Sequence, residues 1–330
     1  MPGHTLIRMP YTPDLTETAV REVTRALAQP ARFPLLDSFD EMRQRAADNI
    51  VTLAFRRYLA EQDVPYETVE SVNFTEPDQY DISFGGRRCI PFAQLICDRG
   101  LIEQTHRQPE KLLEGNVYIP EGTPAAATRD VDIYLFVSLT ALVARGRDES
   151  EAAHLAGHPL YLVYQMPESW SIPKERVAFR SLVFKTDTAE PAWLELHGQN
   201  ELNGYQRMEV SLPGHERMVV QTPFYSLGAV RSAGIPSGPV GIHSPALDDT
   251  VLVSPFQWGN IWVYGMHLYM VGYITQADFN RQAQRVNAAQ EDLPNPCLQG
   301  ETVMRLPAAA LKPVDDLFVR VRNWARMKGS

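Results

Sequence analysis

Phe39, Met42, Ala46, Ile50 and Leu53 recur at the three- and four-residue spacing of one helix face, while Arg43, Arg45, Arg56 and Arg57 fall elsewhere. Ser38 with Glu41 three residues on is a capping box, so the pattern predicts a helix from 38 to about 60. The period then shortens. Residues 66–74 (YETVESVNF) and 80–84 (YDISF) read as strands, Gly85-Gly86 as a tight turn, and 87–96 (RRCIPFAQLI) as the returning strand of a hairpin. Residues 97–116 read as helical or irregular, and 117–120 as a short strand. The most apolar stretch, 133–144 (IYLFVSLTALVA), is a buried strand, with room for a second one bending back. A helix over 147–157 ends at Gly157, and 159–166 returns as a strand. One helix packed on a hairpin and further buried strands is a mixed α/β layer arrangement.

From Trp170 onward the texture is strand-like. Pieces at 182–186, 192–197, 207–212, 218–227 and 251–274 are separated by Pro, Gly, Asn and Asp. Residues 278–290 read as a helix, and a last helix covers 315–327. The pattern therefore predicts two domains, 1–170 of α/β type and 171–330 rich in strand with a terminal helix, divided near 166–176. In that last helix Val314, Leu317, Phe318, Val321 and Trp324 form one apolar stripe, with Arg320, Arg322 and Arg326 largely off it. An isolated helix of this length is marginal in water, so the stripe must be covered by the body of the second domain or by a partner subunit.

Charge changes this picture only in part. The chain of 330 residues carries a formal net charge of −9, most of it in the first half, which argues against a general nucleic-acid coat but leaves room for a local basic groove. The three cysteines form no CxxC pair and read as small buried hydrophobes, so no metal is expected from them. No run approaches the length of a membrane span, and residues 1–15 lack the basic start and apolar core of a signal peptide. The expectation is a cytoplasmic protein with no membrane partner. The chain has no phosphate loop, dinucleotide fingerprint, HExxH or serine elbow, which lowers ATPase, dehydrogenase, metalloprotease and hydrolase readings.

The chemistry most nearly spelled out is phosphodiester cleavage. That reaction needs carboxylates to hold a hard cation and a cationic group near the scissile bond, and a hairpin supplies them by alternation. The order helix, acidic strand, Gly-containing turn, second strand over residues 40–95 resembles the core of the PD-(D/E)XK nuclease superfamily. Asp81 in YDISFGGRR matches the acid of the first strand, and Glu67 or Glu70 matches the upstream glutamate. The resemblance implies a restriction-endonuclease-like first domain. It also implies that the next strand should read apolar, acid, apolar, lysine. Here it reads Cys89-Ile90-Pro91-Phe92, with Ile90 in place of the acid and Phe92 in place of the lysine. Gln94, two residues on, is the residue available to replace that lysine. Pro91 removes a donor and suggests an edge or bulged strand.

Three functions follow as expectations. The favoured one is a non-catalytic, nuclease-like scaffold or recognition subunit of a nucleic-acid-processing assembly, a setting such as microbial defence, needing no cofactor. It would contact DNA or RNA through Arg56, Arg57, Arg87 and Arg88 and bind other protein subunits. The second is an active endonuclease holding magnesium on a displaced set, Glu67, Glu70 and Asp81 with Gln94. The third is a protein-binding structural module without nucleic-acid contact. Trp258, Trp262 and Tyr264 alternate with small or apolar residues and, with Phe318 and Trp324, are candidate interface residues, although aromatic core packing is the default for the first three. Asp78 and Asp81 also suit turn capping, and Asp130 with Asp132 is either a metal pair or the solvated approach to a strand. His197-Gly198-Gln199-Asn200 reads as a polar turn.

Overall fold

The structure, a computed structural model, describes residues 4–33, 36–70, 80–121, 129–175, 177–188, 190–290 and 293–328. The chain begins with β1 (Ile7–Met9), α1 (Pro13–Ala28), α2 (Phe39–Glu61), β2 (Glu67–Glu70), β3 (Tyr80–Phe84), β4 (Arg87–Ile96) and α3 (Arg99–Arg107). Next come β5 (Asn116–Pro120), β6 (Ile133–Leu142), α4 (Arg147–Leu155), β7 (Leu162–Gln165) and the short α5 (Glu168–Ser171). A run of strands follows: β8 (Ser181–Thr186), β9 (Ala192–Gln199), β10 (Tyr205–Leu212), β11 (Arg217–Gln221), β12 (Ser226–Ser232), β13 (Val240–Ser244), β14 (Asp249–Val253) and β15 (Gly259–Asn260). The chain ends with β16 (Tyr264–Thr275), α6 (Gln276–Gln282), β17 (Gln284–Asn287), β18 (Thr302–Pro307) and α7 (Val314–Lys328). This is a mixed α/β fold with an α/β region first, a largely β region after it and a C-terminal helix. Among the described residues no helix is long and apolar enough to cross a membrane.

Contacts divide the chain into two compact units, but not at a single point near 170. One unit comprises Met1–Leu15, Ala47–Ala141 and Gly265–Ser330; the other comprises Thr16–Ala46 and Leu142–Tyr264. The last strand, the last helices and the N-terminal strand thus belong with the expected nuclease-like segment.

In the first unit a six-stranded sheet runs in the order β1-β16-β6-β4-β3-β2, and a three-stranded sheet in the order β17-β18-β5. The hairpin turn is where the sequence places it. Gly85 and Gly86 both take positive φ, +61° and +76°, which the tight turn between β3 and β4 requires and a side chain would resist. β4 lies parallel to β6 and antiparallel to β3, so it is a central strand, not the edge strand that Pro91 suggested. Among the described residues β3 pairs with β4 over Arg87–Cys89, and Pro91 lies beyond those pairs, where its missing N–H breaks none of them.

Ahead of Ser38, where the sequence pattern predicts no element, lies a sixteen-residue helix, α1, whose Pro13 occupies the first turn, where a missing N–H costs nothing. Two further expectations need correction. The helix expected over 278–290 stops at Gln282, and the chain then pairs as β17 with β18, Val286 opposite Val303. His197 is not in a turn but buried in β9.

The second unit contains two antiparallel sheets, β10-β9-β12-β7-β15 and β11-β8-β13-β14, around a core that includes Trp170, Phe179, Phe224, Leu194 and Val230. The second half of α1 crosses the first of these sheets at close range. A Cβ on Gly228 would lie 2.1 Å from the Leu27 carbonyl oxygen, so only glycine fits there. Trp258 joins the same core and Trp262 is fully buried.

Candidate functional site

β4 presents two faces by strict alternation. Cys89, Ala93 and Leu95 turn to the side covered by α2, where Phe55 meets Phe84 edge-on at 6.4 Å between ring centroids and Asp48 accepts the Ala93 N–H at 3.1 Å. Ile90, Phe92 and Gln94 turn to the other side, the one that carries acid and lysine in the resembled family.

That side is partly covered by the chain itself, and Ile90, Phe92 and Gln94 are each half-buried. The parallel register sets Ile90 beside Tyr134, Phe92 beside Phe136 and Gln94 beside Ser138. The Phe92 ring lies edge-on to Tyr134 at 5.1 Å and stacked on Phe136 at 5.9 Å, and Phe279 of α6 closes on both, at 5.5 and 6.0 Å. Val117 and Ile119 of β5 and Leu306 of β18 complete the cluster, with Ile90 packed against it. Aromatic pairs of this kind contribute about 0.5–1.5 kcal/mol each beyond the area they bury. Gln94 is engaged at both ends of its amide: Nε2 donates to the Tyr118 carbonyl at 2.9 Å, and Oε1 accepts the Tyr118 N–H at 2.8 Å. It bonds the backbone of β5 and is not available to stand in for a catalytic lysine.

Of the remaining candidate ligands only some lie among the described residues. Glu67 is exposed on β2, and the side chains of Glu70 and Asp81 lie outside the described part of the structure, as does Asp78. Asp132 is fully buried, but its carboxylate accepts the backbone N–H groups of Arg88 (3.1 Å) and Arg129 (2.7 Å), so it fastens a loop and does not form a metal pair with exposed Asp130. Among the described residues no three His, Cys, Asp or Glu side chains are grouped to hold a metal ion. Of the set that the second reading gives to magnesium, Glu67 and Gln94 alone have described side chains, and Gln94 is held by Tyr118.

The four arginines divide between two places. Arg57 on α2 donates to Thr12 and pairs with Asp14, whose carboxyl its hydrogen bonds hold down at about 2. Arg56 is half-buried one residue earlier. Arg87 is exposed at the start of β4 and Arg88 is half-buried beside it. Arg87 shares one neighbour with α7. Burial raises the Tyr273 phenol, and Arg320 of α7 and Arg87 both oppose that rise. Arg129 donates to the Gly86 carbonyl at the turn itself.

The terminal helix docks here. Phe318 is buried and stacks on Tyr58 of α2 at 6.0 Å, and Arg322 donates to the Gln62 carbonyl at 3.1 Å. Trp324 is half-buried against the turn, so close that a Cβ on Gly85 would come within 2.9 Å of its ring. Phe318 and Trp324 of the stripe are thus covered by α2 and the hairpin turn. In the second unit Trp258 and Trp262 are core, not surface, and Tyr264 is half-buried beside His158 at 5.0 Å.

Sequence reasoning passed over a buried polar network in the second unit. Glu195 receives Arg231 at 2.5 Å and Arg207 at 2.8 Å and lies 3.3 Å from His197 Nε2, while His197 Nδ1 is 2.8 Å from the Tyr205 hydroxyl. Burial, then Arg231 and Arg207, push His197 down to about 3; burial, then Glu195, push Tyr205 up to about 12. The imidazole stays neutral between a carboxylate and a phenol, and the group acts as a polar fastening within the sheet. The only sequence signal was the alternation of Glu195 and His197 in an otherwise apolar strand. Comparison of the chain with family models, curated proteins and solved structures returned no match.

Proposed function

We propose that this chain is a non-catalytic protein of nuclease-like build, serving as a scaffold or recognition subunit in a nucleic-acid-processing assembly. The observation that carries this reading is the packing of Phe92 into the ring cluster of Tyr134, Phe136 and Phe279, where cleavage would need an open, polar face. The succession of helix, strand, Gly-Gly turn and strand supports the nuclease-like build. Nucleic acid would meet the hairpin turn and α7, where Arg87, Arg88, Arg129 and Arg320 lie, and not the apolar face of β4. A protein-binding module without nucleic-acid contact is the second reading, favoured by Val319 and Met327, which stand exposed on α7.

Salt-dependent binding of mixed-sequence DNA and RNA separates the two. With Arg87 and Arg88 both changed to glutamate, affinity should fall for all sequences alike, and the slope of log K against log salt should flatten by about 1 for each phosphate contact removed. Binding with an unchanged slope would place the contact elsewhere, and no binding by the unaltered protein would favour the second reading.

A further inference from the structure

We propose that Arg8, His106, His267 and Tyr269 form a binding site for a phosphoryl oxyanion, carried by free phosphate or by a phosphate monoester. Four elements of the first unit bring these groups together. β1 pairs with β16 so that Arg8 stands opposite Tyr269, and His267, two residues earlier on β16, shares the face of Tyr269. His106, near the end of α3, lays its ring against that of His267, with centroids 4.0 Å apart and planes inclined by 45°. Thr140 of β6 sits between them: its Oγ1 is 3.0 Å from His106 Nε2 and accepts the His267 backbone N–H at 3.1 Å. The Tyr269 hydroxyl is 3.1 Å from His267 Nδ1.

Each imidazole therefore has one nitrogen fixed. Among the described residues His106 Nδ1 and His267 Nε2 have no hydrogen bond, both rings are half-buried, and exposed Arg8 has no ion pair. Among the described residues no carboxylate supplies a neutralising charge. Burial and Arg8 lower His106; burial, His106 and Arg8 lower His267. Arg8 also opposes the burial that raises Tyr269. Elsewhere on α3, Glu103 and Arg107 pair with one another at 3.0 Å, and His4, ahead of β1, has its Nε2 2.7 Å from the Val271 carbonyl oxygen.

The guanidinium of Arg8 has no ion-pair partner among the described residues, and the two imidazoles in contact beside it each keep a ring nitrogen that can take up a proton. A phosphoryl group carries negative charge and several acceptor oxygens, enough for a guanidinium and two protonated rings at once. A metal cation suits the place less well, because Arg8 repels it. As both rings are held below the ordinary histidine range, the anion must bring protons with it, and affinity rises as pH falls. The site does not depend on the nuclease-like reading.

Sulfate is the first probe, because its charge stays constant between pH 8 and pH 6, so any pH dependence belongs to the protein. Calorimetry on the full chain should show sulfate affinity rising about tenfold per pH unit for each proton taken up. The ring NMR signals of His106 and His267 should titrate about one unit higher with sulfate present, and exposed His154 should not move. Arg8→Gln, at an exposed position, should leave the melting temperature unchanged and weaken binding about tenfold. Repeating the titration with inorganic phosphate and with glycerol phosphate identifies the source by whichever binds more tightly, and preference for either supports the site. Undetectable binding, pH-independent sulfate affinity, unmoved histidine signals, or zinc binding that needs both imidazoles and survives Arg8→Gln would each overturn the proposal.

Discussion

Changing Ile90 to aspartate and Phe92 to lysine, which gives β4 the acid and lysine that the resemblance would require, should produce an unstable protein and not a nuclease. The new charges would lie half-buried against the cluster formed by Tyr134, Phe136, Phe279, Val117 and Leu306, and the ring of Phe92 would be lost from its contacts at 5.1 and 5.9 Å. Removing a packed phenylalanine costs about 3–5 kcal/mol, and burying a charge without an adequate partner adds to that loss. Most of the stability of a typical domain is of this size, so urea denaturation should show an early or absent transition for the double variant. An unchanged midpoint would mean that this face is open to water, and the argument from its packing would fall with it.

Removal of residues 314–330 should have an effect of similar size. Val314, Leu317, Phe318 and Val321 are all buried, Phe318 stacks on Tyr58, and Trp324 covers the Gly85 turn. The milder Phe318→Ala should cost about 3–5 kcal/mol and lower the melting temperature on the order of 10 °C, while leaving a folded protein on which partner binding can still be measured. If the truncated chain melts as the full chain does, α7 is not the lid of the first unit described above. Loss of partners from Phe318→Ala beyond what its lowered melting explains would make the helix an interface as well.

Much of the local structure was written in short-range pattern. Gly85-Gly86 between two extended runs specified the hairpin, because only positive φ closes that turn, and the apolar run beginning at Ile133 specified a buried strand. The amphipathic stripe ending at Trp324 marked α7. Long-range partners were not legible. The stripe shows that α7 must be covered but not by what, and α2 and the hairpin turn lie more than two hundred residues away in sequence. For the same reason Gln94 reads as a free polar side chain until β5 is set beside it and Tyr118 takes both ends of its amide. α1 was hidden by its proline, although Leu15, Ala19, Val20 and Val23 keep helical spacing and are buried. His106 and His267 come together only because α3 and β16 fold to one end of the sheet, and no motif announces that.

The absence of catalysis is the central claim, and the most direct measurement is cleavage of labelled single- and double-stranded DNA and RNA by the purified protein with magnesium or manganese. The apolar face of β4, with Ile90 and Phe92 packed against the ring cluster, predicts no product above the buffer control, and the same result for Asp81→Ala. Metal-dependent cleavage by the unaltered chain that disappears in Asp81→Ala would contradict it, and would show that the carboxylates of β2 and β3 assemble a working site without an acid or lysine on β4.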